Sequence, residues 1–241
     1  MFGVPRLKKL AILLIVLIGC QSQEFVPKTS KGTYYPLIVG TYWEYDVVET
    51  TISQVNGQLN SIYELRMEVT DSAISAGETT YTLKRYTRSD AALPWNVQET
   101  WSVRLSEFQL VQQEGNISFI KLKSPLSDGK SWNGNELNNL GGKDSCGGGT
   151  NNCDVYTVTD LTKAFEISGN TYSNSVNIIE NNEDDPIIGK DVRKSVYAES
   201  VGLVYRELTQ LIYCTVGDCI GEQVVENGIL FKQTLKAYGT L

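Results

Sequence analysis

Beyond residue 40 the chain changes polarity at every second residue, and this period is what most limits how it can fold. Trp43, Tyr45 and Val47 alternate with Glu44 and Asp46, while Tyr63, Leu65, Met67 and Val69 alternate with Glu64, Arg66 and Glu68. A strand turns successive side chains to opposite faces, so each run has one dry and one wet face. Asn56-Gly57 lies between the two runs and predicts a hairpin, because a type I′ turn needs positive φ at both central residues. The same reading places strands near 79–88, 97–105, 107–113 and 116–123. Others fall near 153–160, 163–168, 173–181, 191–199, 203–214, 219–226 and 229–237. Tight turns such as Glu114-Gly115-Asn116 separate them. The expected fold is all-β: an antiparallel meander forming curved or packed sheets, either two sheets face to face or one strongly bent sheet.

The pattern also repeats. Pro36-Leu37-x-x-Gly40-x-x-Trp43 returns 89 residues later as Pro125-Leu126-x-x-Gly129-x-x-Trp132. Val69-Thr70-Asp71 returns at the same offset as Val158-Thr159-Asp160. Ile74-Ser75-Ala76-Gly77 before Tyr81 parallels Ile167-Ser168-Gly169 before Tyr172, and Trp101 leading to Leu110-Val111 parallels Tyr197 leading to Leu203-Val204. Two matches at one offset, with others in order, predict an internal duplication. The units are 34–123 and 124–241, packed as one globular body. The opening Pro-Leu-x-x-Gly-x-x-Trp, with Tyr45 after it, resembles the opening of many uncharacterised lipoproteins of the Bacteroidota. That resemblance implies no activity. Physically, proline and glycine set a turn and the tryptophan anchors the first strand in the core.

Residues 1–19 have a basic start (Arg6, Lys8, Lys9), an apolar run from Leu10 to Ile18, and then Gly19. This is the layout of a secretory signal peptide, too short and wrongly flanked for a spanning helix. Leu17-Ile18-Gly19-Cys20 resembles the lipobox of bacterial lipoproteins. The resemblance implies that the Cys20 thiol is alkylated with diacylglycerol, that cleavage follows Gly19, and that residues 20–33 form a lipidated tether. Two or more acyl chains anchor stably, each buried methylene adding about 0.8 kcal/mol. Residue 21 is Gln rather than Asp, which by analogy with Gram-negative sorting predicts the outer membrane, with the domain facing the periplasm or the cell surface.

Removing residues 1–19 takes away three of the 21 basic residues and none of the 28 acidic ones. So acidic a chain is poorly suited to nucleic acid, and no nucleic-acid partner is expected. The sequence contains no histidine, which excludes His-based triads, His-ligated zinc and imidazole acid–base chemistry. Four cysteines remain besides Cys20: Cys146, Cys153, Cys214 and Cys219. An even count in an exported chain predicts two disulfides, with three connectivities open. Proximity favours Cys146–Cys153 and Cys214–Cys219. Their spacing lacks the paired knuckles of a zinc site, so no metal is expected, and no cofactor.

The remaining candidates are weaker. The run Glu180-Asn181-Asn182-Glu183-Asp184-Asp185 lacks calcium-loop spacing and reads as a solvated loop. Glu44 and Asp46 could in principle pair as glycosidase carboxylates, but read as surface decoration. Trp101 alternates with Val97, Val103 and Leu105 and reads as core, whereas Trp95, in a loop, is the candidate ligand contact. The function expected is a membrane-anchored, non-catalytic binding or structural module of the envelope, with a protein or glycan partner. The alternatives are a carrier holding an apolar ligand in a cavity of several hundred cubic ångströms, and a hydrolase with two acids facing across a cleft.

Overall fold

In the computed structural model, which describes residues 34–138 and 154–241, twelve strands form one antiparallel sheet. The signal peptide, Cys20, the tether, Cys146 and Cys153 lie outside the described residues. The strands are β1 (Thr41–Ser53), β2 (Gly57–Ser75), β3 (Glu78–Arg88), β4 (Asn96–Leu105), β5 (Gln109–Glu114) and β6 (Ile117–Lys123). They continue as β7 (Ser131–Asn133), β8 (Val155–Ile167), β9 (Asn170–Asp185), β10 (Gly189–Ala198), β11 (Gly202–Tyr213) and β12 (Val225–Thr240). Their order across the sheet is β6-β5-β4-β3-β2-β1-β12-β11-β10-β9-β8-β7. Each half of the chain is thus a meander, and the halves join where β1 pairs with β12. The expected all-β antiparallel meander takes the form of one strongly bent sheet.

The bend brings the two edges back together. The Ile120 N–H donates to the Gly134 carbonyl at 3.0 Å, and the Trp132 indole N–H donates to the Ile120 carbonyl at 2.7 Å. Asn138 adds a bond to the Ser118 carbonyl at 2.7 Å. The sheet is therefore a nearly closed barrel, its first and last strands covered where they meet. Its interior takes the inward side chains of alternate positions. Trp43, Tyr45, Val47, Leu65, Met67 and Val69 are all buried there.

The repeat seen in sequence is a repeat in geometry. Gly40 N–H donates to the Val69 carbonyl at 2.8 Å, and Gly129 N–H to the Val158 carbonyl at 2.9 Å. The preceding turns match as well, Thr41 to Ile38 and Lys130 to Ser127. Trp43 lies opposite Met67, and Trp132 lies opposite Tyr156, the same register 89 residues apart. Ala76-Gly77 and Ser168-Gly169 both have positive φ at two consecutive residues, the backbone of a type I′ hairpin.

Several local expectations are corrected. The first hairpin is not a type I′ turn on Asn56-Gly57. Ser53 pairs with Gly57 across three loop residues, and only Gly57 takes positive φ, the three-residue turn with a bulge. The segments near 153–160 and 163–168 are one strand, β8, whose pairing breaks between Thr159 and Lys163, where Asp160 and Thr162 adopt positive φ. Residues 219–226 are mostly loop: a 3-10 turn covers Gly217–Cys219 and the last strand runs from Val225. Val97 is 62% exposed. The pairing of β3 with β4 skips residue 98, and an inserted residue flips the inward parity.

Candidate functional site

Among the described residues, polar groups gather inside the barrel and along a groove on its surface. Lys121 is the residue left over where Leu110 faces Leu122 but Val111 faces Ile120. Glu180 is left over where Lys194 faces Ile179 but Arg193 faces Asn181. Both are β-bulge residues, and a bulge re-aims a side chain. Here it aims both charges inward: Lys121 and Glu180 are 3% and 2% exposed. The solvated-loop reading of Glu180 is therefore overturned, although Glu183, Asp184 and Asp185 of the same run are exposed.

Lys121 Nζ stands 3.2 Å from Glu114 and 4.0 Å from Glu180. Arg206 reaches both carboxylates at 3.9 Å. Ser195 Oγ donates to Glu180 at 2.5 Å, Gln112 donates to Glu114 at 2.8 Å, and the Tyr35 hydroxyl donates to Gln112 at 3.0 Å. Two cations and two carboxylates balance, and the neutral groups fill their remaining hydrogen-bond capacity. Burial would raise the Glu114 carboxyl, but Lys121 and Arg206 outweigh it and hold the group at about 2. Burial likewise opposes ionisation of Glu180, and the same two cations with Ser195 hold it below the ordinary carboxylate range.

The acid limb of stability follows from Glu114. Its folded value of about 2 lies below the unfolded value of 4.5, so its contribution is present above that unfolded value and lost as pH falls toward 2. A shift of this size corresponds to about 3 kcal/mol. Urea unfolding of Glu114→Gln followed between pH 6 and pH 2 should show a shallower acid loss than the unmodified chain. Equal slopes would contradict the assignment.

The second place is a surface groove of about 650 Å³ between the start of β9 and the end of β12. In the sheet, β10 and β11 lie between these two strands. The β10–β11 hairpin, however, turns back at Ala198–Gly202, and β11 begins to pair with β12 only at Tyr205 with Thr234. β9 pairs with β10 only from Ser175 onward. Among the described residues, Asn170–Ser173 of β9 and Leu235–Thr240 of β12 therefore have no neighbouring strand on the sides that face each other, while the Asn174 carbonyl accepts from the Glu199 N–H at 2.8 Å. Tyr172 and Tyr238 add rings to the groove, and Asn170, Thr171, Ser173 and Glu199 add polar groups.

The turn that ends the groove is held from within. The Trp43 indole N–H donates to the Val201 carbonyl at 2.6 Å, and the Tyr45 hydroxyl to the Leu203 carbonyl at 3.2 Å. Gly202 has φ +105, and a Cβ there would stand 2.9 Å from Trp43 Nε1. Only glycine lets the turn sit this close. Burial and the Glu199 carboxylate raise the Tyr34 hydroxyl pKa.

The residues singled out from sequence are not brought together. Trp95 is half-buried and its ring is covered by the Arg88 guanidinium at 4.1 Å. Trp101 is core, 8% exposed. Glu44 pairs with Arg66 at 3.5 Å and Asp46 with Lys236 at 3.5 Å. Cys214 and Cys219 form a disulfide with Cα atoms 5.9 Å apart, in the loop before β12. Among the described residues no cluster of three or more metal-ligating side chains occurs.

No protein-family model and no curated protein matches the chain. Solved structures resemble it, two of which follow. One is a candidate exported protein with a YmcC-like fold from Bacteroides fragilis, 12% identical over 86% of this chain and 99% of that one, with a TM-score of 0.46. The other is a candidate lipoprotein from Parabacteroides distasonis, 9% identical over 86% of this chain and 98% of that one, with a TM-score of 0.40.

Proposed function

We propose that the protein is a lipid-anchored, non-catalytic binding module of the bacterial outer membrane, which receives an extended polypeptide segment in the groove between β9 and β12. The observation that carries this reading is that, among the described residues, Asn170–Ser173 and Leu235–Thr240 are strand edges without a paired strand on the sides facing the groove. Three strand spacings separate β9 from β12 in the sheet order, a gap of roughly 14 Å at about 4.8 Å per spacing. An extended segment entering it meets backbone donors and acceptors on either wall, the basis of recognition by strand addition. The lipobox around Cys20 supports the membrane anchor.

The rival readings have less support. Carriage of an apolar ligand needs an internal cavity of several hundred cubic ångströms, whereas the space left around Tyr35, Trp101 and Gln233 is about 20 Å³. Glycan hydrolysis needs one carboxyl held protonated, whereas Glu114 and Glu180 are both pushed the other way. The test is amide hydrogen exchange on the purified protein with peptides selected from a random array. Exchange should slow at Asn170–Ser173 and Leu235–Tyr238 when such a peptide binds. Peptides that bind with those amides unprotected, or retention of arrayed glycans in place of peptides, would overturn the proposal.

A further inference from the structure

A void of about 20 Å³ lies inside the barrel against the charged cluster. It is the size of one water-sized species. The charged side chains lining it are Arg85, Lys121 and Arg206, and among the described residues no carboxylate lines it. Glu114 and Glu180 pair with Lys121 and Arg206 and do not line it. Three of the lining residues also carry buried donors without a partner: Arg85 Nε, Trp101 Nε1 and Gln233 Nε2. Trp101 is 8% exposed and Gln233 3%. An unpaired buried donor costs about 1–3 kcal/mol, so three around one void are an unusual cost for a fold to carry.

We propose that this void binds a single halide ion. Three unpartnered donors sit on residues that line the void, and every charged side chain lining it is a cation. A halide accepts from such donors and carries the opposite charge, which a neutral water does not. Sulfate and phosphate are too large for the volume. The bound ion would link Gln233 on β12, Trp101 on β4 and Arg206 on β11, tying the two halves of the barrel through their interior.

The experiment compares melting of the full-length protein in detergent, in sodium gluconate and in sodium bromide at equal ionic strength. Bromide should raise the melting temperature saturably, by about 5 °C at a concentration hundredfold above half-saturation. Trp101→Phe keeps the ring and removes the donor, and should raise the half-saturating bromide about tenfold. Independently of how that variant folds, crystals of the unmodified protein soaked in bromide should show an anomalous peak within hydrogen-bond distance of Trp101 Nε1 and Gln233 Nε2. Equal melting in gluconate and bromide, or a water without anomalous signal at that position, would overturn the proposal.

Discussion

Lys121→Met should lower the unfolding free energy by about 3–5 kcal/mol, as expected when one member of a buried ion cluster is removed. Methionine keeps most of the lysine stem, so the loss is of charge rather than of packing. Without Lys121, Glu114 and Glu180 share only Arg206, at 3.9 Å from each. Two buried carboxylates beside one cation cannot both stay ionised cheaply, and one will take up a proton. The variant should therefore gain stability as pH falls toward 5, relative to the parent. Adding Glu114→Gln to Lys121→Met restores the balance of one cation to one carboxylate and should recover part of the loss. Urea unfolding followed by tryptophan fluorescence measures all three. A cost below about 1 kcal/mol for Lys121→Met, the value of an exposed pair, would mean that water reaches the cluster.

The cluster shows where sequence reading stopped. The period of two placed the strands because each has one face inside, and the 89-residue offset carried over to hydrogen bonds from Gly40 and Gly129 and to the pairing of Trp43 and Trp132. Glu180 had a legible signal: Val176, Ile178 and Glu180 share inward parity, and all three are buried. The polar residues after it, Asn181 to Asp185, masked that parity. Lys121 had none. It is buried between Ile120 and Leu122, also both buried, and three consecutive inward residues occur only where a bulge breaks the alternation. Val97 was misplaced for the same reason, through the extra residue between β3 and β4. The groove was equally hidden, because it depends on how far two hairpins extend and not on any one residue type.

Trp43→Ala should cost about 3–5 kcal/mol, the range for removing a large aromatic side chain from a core, and lower the melting temperature by roughly 10 °C. Trp43 is 2% exposed and packs beside Tyr35, ring centres 5.8 Å apart. Its indole also holds the turn at Val201. Trp43→Phe keeps most of the packing and removes that bond, so its cost should fall to about 1–2 kcal/mol, with faster amide exchange confined to Ala198–Leu203. Trp132, its counterpart in the second half, is 6% exposed and bonds instead to Ile120 at the seam between β6 and β7. Trp132→Ala should cost a similar amount but fail differently. Opening the seam bares two strand edges, and bare edges pair with other chains. Light scattering during the melt should then depend on protein concentration for Trp132→Ala and not for Trp43→Ala. Concentration-independent melting of both would show that the seam is held by contacts other than the indole, because the same residue at the same place in the repeat would then be doing the same job twice.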